Sequence, residues 1–138
     1  MKTFFISFVL GFISNMCFGQ TKTDTSYYLL DTSKTPAADR IVSIKQENNN
    51  AFVNISCPCL RNGNVPVFRY NINKHIKVDE KDFSSIKAIK LMDLIELVRK
   101  NDNSSFNKQH VIFFLEPDGK NYIKRRAYFL GSYITKTS

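Results

Sequence analysis

The chain has 138 residues, 43% hydrophobic and 23% charged, with a formal net charge of +8 at pH 7. That length fits one domain with its own core and leaves little room for two. It has only 5 glycines and no Gly-rich phosphate-cradling loop, and it lacks the G-x-S-x-G elbow of serine hydrolases.

Residues 1–19 read as an export signal. Lys2 charges a short first region, and an uncharged run from Thr3 to Met16 carries Phe4, Phe5, Ile6, Phe8, Val9, Leu10, Phe12 and Ile13. Cys17 and Gly19 then put small residues where a signal peptidase reads. The run is shorter than the roughly 20 apolar residues of a membrane-spanning helix. Cleavage is therefore expected after Gly19, leaving a single small domain over 20–138 with no transmembrane segment, periplasmic or secreted. The alternative is lipidation at Cys17, which Ser14 and Met16 fit poorly at the positions where Leu and a small residue are usual.

The basic balance raises the prior for nucleic acid, anionic lipid or acidic partners. Lys, Asn and Ile are abundant and have AT-rich codons, so genome composition accounts for part of it. Export also removes most nucleic acid from reach, and a protein partner is the expectation.

Tyr27 to Leu30 reads as a first strand, and Asp31 to Asp39, with Pro36, as a loop. Arg40 to Glu47 and Ala51 to Cys57 alternate with period two around Asn48-Asn49-Asn50, which predicts a hairpin. Val65 to Asn71 is the next strand, and Asn71 to Lys77 is ambiguous. The acids Asp79, Glu80 and Asp82 open a short helical turn, the reading preferred here over general acid–base or calcium chemistry. Leu91, Leu94, Ile95 and Val98 fall at i, i+3, i+4 and i+7, so Leu91 to Lys100 is the main helix, ended by Asn101 to Ser105. His110 to Leu115 is nearly all apolar, as in a central strand. Glu116-Pro117-Asp118-Gly119 suits a type I turn, and Tyr122 to Leu130 returns as the partner.

Together these predict an α+β fold: an antiparallel sheet of five or six strands packed against one main helix, in the order β-β-β-β-α-β-β. A β-sandwich with an accessory helix is the alternative.

Two groups of residues carry candidate chemistry. Cys57-Pro58-Cys59 holds the only cysteines left after cleavage. A disulfide or a pair of buried thiols is the leading reading. A redox-active pair, or a copper or zinc site completed by His75 or His110, is the alternative. The second group is basic and aromatic: Lys120, Tyr122, Lys124, Arg126 and Tyr128, near Tyr133. In a strand, the last four of those five share one face while Arg125 points to the other. They form a candidate contact surface, weighed against a plain solvated sheet face that resists edge aggregation. No cofactor is expected. The functional expectation is an exported, non-catalytic binding module of the inhibitor or immunity-protein kind, with thiol-redox or metal handling by Cys57 and Cys59 as the alternative.

Overall fold

A computed structural model of the protein describes residues 23–31, 41–56, 64–101 and 103–134. Residues 1–19, read above as a signal, most of the loop after Leu30, and Cys57-Pro58-Cys59 lie outside the described residues.

Strand β1 spans Asp24–Leu29. Strands β2 (Val42–Glu47) and β3 (Asn50–Ile55) form the expected hairpin, paired from Val42–Ile55 to Glu47–Asn50. Its turn needs one left-handed residue, and Asn48 takes it at φ 55°. Strand β4 (Asn64–Asn71) follows, then β5 (Ile76–Val78), helix α1 (Glu80–Phe83) and the two-residue β6 (Ala88–Ile89). Helix α2 covers Leu91–Lys100, the bounds its periodicity predicts. Asp93 accepts the N–H of Lys90 at its start, and Glu96 pairs with Lys100 at 2.6 Å along its exposed side. Helix α3 (Asn103–Gln109) leads directly into β7 (His110–Asp118), which turns into β8 (Asn121–Ile134).

The expected fold class is corrected. The strands form one eight-stranded mixed sheet in the order β2-β3-β4-β8-β7-β1-β6, with β5 also on β8, and the helices are short. Neither the five- or six-stranded antiparallel sheet nor the sandwich describes it. Strand β1 runs parallel to β7, pairing Asp24–His110 through Leu29–Leu115, and parallel to β6 on its other side. Periodicity shows a strand and its buried face, but it carries no information on a partner some 85 residues away. The missed elements β5, β6 and α3 are too short to show a period of their own.

The turn is also displaced. Strand β7 continues to Asp118, and the loop is Gly119-Lys120, with Gly119 at φ 63° as the first residue of a type II′ hairpin would be. Pro117 is tolerated for a geometric reason. Leu30 donates its N–H to the carbonyl of Leu115, so Leu115 turns its backbone groups toward β1. Pro117, two residues on, faces the same way but lies past the end of β1, where its missing N–H breaks no ladder bond.

The long strand β8 is the spine. It pairs with β7 along one edge, and with β5 and then β4 along the other, with a bulge opposite Val67 and Phe68. One sheet face is the core. Ala51, Val53 and Ile55 of β3 meet Phe68 and Tyr70 of β4, Ala127 and Phe129 of β8, and Ile112 and Phe114 of β7. Leu94, Ile95 and Val98 of α2 and Phe106 of α3 close over this face. Phe114 is its hub, 5.3 Å from the Phe68 ring and 6.0 Å from Tyr28. Past the Ile112–Ala127 pair β7 no longer pairs with β8, and Asn107 of α3 takes its place. Its amide donates to the Phe129 carbonyl at 2.8 Å and accepts the Phe129 N–H at 2.9 Å. No described helix is long and apolar enough to cross a membrane.

Candidate functional site: the open face of the sheet

The face opposite α2 and α3 carries the predicted contact residues, joined by others the sequence did not group with them. Alternation puts Tyr122, Lys124, Arg126 and Tyr128 of β8 on this face and Arg125 on the core face, as expected. Strand register then extends the surface sideways. Tyr128 stands opposite Arg69 of β4, which stands opposite Phe52 of β3, which stands opposite Lys45 of β2. Arg126 stands opposite Phe113 of β7, itself opposite Tyr27 of β1. Cations and rings thus alternate along one row and meet in the next. No Asp or Glu stands in either row.

These side chains are tied to each other. The Arg126 guanidinium lies over the Tyr128 ring at 5.1 Å, and the Lys124 ammonium over Phe113 at 5.2 Å. Each such contact contributes about 0.5–1 kcal/mol at an exposed site, enough to bias a long side chain toward one position. Tyr27 and Phe113 stack, with centroids 5.6 Å apart and planes 18° from parallel. Tyr122 is half-buried and stacked on Phe83 of α1, so it forms the border of the surface rather than its middle. Lys120 sits exposed in the hairpin loop, outside the rows. Tyr128, Leu130 and Tyr133 remain 38%, 45% and 46% exposed along the same strand. Large rings and an Arg left in solvent on one strand are the composition of a protein-binding patch.

A second cluster lies on the core face, at the end the helices leave open. Arg125 is only 8% exposed. It forms a short ion pair with Glu116 and lies over the Tyr70 ring at 5.3 Å, and Tyr70 donates its hydroxyl to the other Glu116 oxygen at 2.5 Å. Burial, then the bond to the Glu116 carboxylate and its charge, raise the Tyr70 phenol well above its ordinary pKa, against the opposing charge of Arg125. A pocket of about 370 Å³, lined in part by Leu30, Ile44, Gln46, Tyr70 and Glu116, opens beside this cluster. Both Glu116 oxygens are engaged within the fold, so the cluster serves packing first.

Comparison with family models, with curated proteins and with solved structures returns no match. The functional reading therefore rests on geometry.

The remaining candidates separate. Cys57 and Cys59 lie outside the described residues, so their bonding and surroundings are not part of this site. His75 is exposed, and His110 opens β7 with its ring 5.1 Å from Phe106. Among the described residues no group of three or more His, Cys, Asp or Glu side chains is placed to hold a metal ion. Asp79, Glu80 and Asp82 sit exposed at the start of α1, in keeping with the helix-start reading.

Lys45, Phe52, Arg69, Tyr27 and Phe113 were missed as site residues because each looks ordinary within its own strand. Their signal was the alternation already used for the core: they occupy the positions between the buried ones. What could not be read was which strands stand side by side.

Proposed function

We propose that the protein is an exported, non-catalytic binding module that holds a protein partner against the open face of its sheet. The observation that supports this reading is the interleaving of Arg69 and Arg126 with the exposed Tyr128 across paired strands, beside Leu130 and Tyr133. Tyr and Arg dominate interface hot spots because they bury a large contact area and keep a polar end. A purely solvated face gains nothing from three large apolar side chains left in water. Small exported inhibitors and immunity proteins act in this way, an analogy of class only.

The test is affinity capture from the source organism's own extracytoplasmic fraction, with the wild-type protein and the Tyr128→Ser/Leu130→Ser variant as parallel baits. A protein retained by the first and lost by the second is the expected result. Equal retention by both would move the binding surface elsewhere, and retention by neither would remove the reading.

A further inference from the structure

We propose that the partner is recognised as an acidic polypeptide segment, docked by its carboxylates onto Lys124, Arg126 and Arg69. This deepens the binding-module reading and rests on it. Three features carry it.

The first is charge. Lys45, Arg69, Lys124 and Arg126 all project from one face, and no carboxylate stands opposite them in the strand register. On other parts of the protein, by contrast, Arg125 is paired with Glu116 and Lys100 with Glu96. Lys124 and Arg126 lean on rings instead, which leaves their hydrogen-bond donors unspent.

The second is spacing. Lys124 and Arg126 are alternate residues of one strand, about 7 Å apart. Arg69 is diagonal to Arg126 across the β4–β8 pair, at a similar separation of about 7–8 Å. An extended chain with acids at alternate positions presents its carboxylates at the same interval of about 7 Å. The planar Arg forks suit two-point contact with carboxylate oxygens.

The third is how the rings are used, and it separates acidic protein from single-stranded nucleic acid. A nucleic-acid platform offers open ring faces on which bases stack. Here Tyr27 and Phe113 are stacked on each other, Phe113 also lies beneath Lys124, and Tyr128 lies beneath Arg126. The rings hold the cations in place, so less side-chain freedom is lost when a carboxylate arrives.

The test is fluorescence anisotropy with a labelled alternating Glu-Ser peptide of about sixteen residues, long enough to cross the sheet in extended form. Its Lys-Ser counterpart and an oligo-dT of similar length serve as rival probes. The wild type should bind the Glu-Ser peptide, more weakly as salt rises. It should not bind the Lys-Ser peptide, and should bind oligo-dT less tightly. Arg69→Ala/Arg126→Ala should weaken binding by at least about tenfold, as loss of two anchoring Arg contacts implies. Arg99→Ala/Lys108→Ala, on helices covering the opposite face, should leave it unchanged. All four positions are exposed, so circular dichroism should show both variants folded. Tighter binding of oligo-dT would assign the face to nucleic acid. Equal loss in both variants, or no binding of the Glu-Ser peptide, would overturn the proposal. A face-dependent partner captured from the native fraction but lacking an acidic surface would overturn it too, while leaving the binding-module reading in place.

Discussion

Arg125 and Glu116 are held where neither could remain alone. The guanidinium is almost wholly buried and has one carboxylate as its charge partner. Removing one member of such a pair strands a charge in a poor solvent, whereas replacing both with apolar residues removes the difficulty. Arg125→Met should therefore destabilise the fold by about 3 kcal/mol in urea denaturation. Arg125→Met combined with Glu116→Leu should cost clearly less than that single change. A double variant as unstable as the sum of its parts would show that the two side chains do not act as a pair. Tyr70 gives this cluster a pH signature. Its phenol is harder to ionise in the folded state than in the unfolded chain, so the folded state keeps a proton that the unfolded state releases. That contribution is complete below the unfolded value of about 10 and is lost as pH rises above it. The urea midpoint should fall through the alkaline range, and Tyr70→Phe should make the fall shallower. Lysines titrate there as well, so the difference between the two proteins carries the result.

At the scale of elements, the β7–β8 hairpin and the α3 helix each carry a prediction. In β7, Phe114 is fully buried at the hub of the core, while Phe113 is half-exposed on the open face. Phe114→Ala should cost about 3–5 kcal/mol and Phe113→Ala distinctly less, measured by the same denaturation. From the apolar run alone, Phe113 and Phe114 are equal candidates for the core. A run that is apolar at every position hides which alternate set faces the core, so that choice was not legible. In β3, by contrast, Ala51, Val53 and Ile55 alternate with polar Asn54, so the buried face is legible. The bounds of α2 were legible because its period persists over ten residues. Helix α3 was not, because among its described side chains only Phe106 is buried, and Asn and Ser suggest a loop. Its value lies in Asn107, whose side chain satisfies the β8 backbone where β7 stops pairing. Asn107→Ala should cost about 1–3 kcal/mol, the usual penalty for orphaned backbone groups. It should also speed amide exchange at Phe129 more than at Ala127. Uniform exchange across both positions would deny Asn107 that role.

For the whole molecule, the sheet explains how much of the contact surface could be foreseen. Four of its members lie on one strand, and alternation alone grouped them. Arg69, Phe52 and Lys45 joined only when β4, β3 and β2 were laid beside β8. The location of the protein is tested separately, at its N-terminus. Intact-mass measurement of the exported protein should give a chain beginning at Gln20. A lipid-bearing mass beginning at Cys17 would instead place it on a membrane surface by an acyl anchor.

The parallel pairing of β1 with β7 also determines when the protein can fold. The first strand acquires its β7 neighbour only after about residue 115 has been made, and β4 and β7 are joined only through β8, the last strand. A chain emerging from its N-terminus can close the β2–β3–β4 meander early, but nearly half the ladder must wait for the final segment. Contacts of such sequence separation slow folding. Until β8 arrives, the inner edges of β4 and β7 are open to stray strands. A partly made chain can thus close its meander but not its sheet, and it stays open to aggregation until β8 has been made.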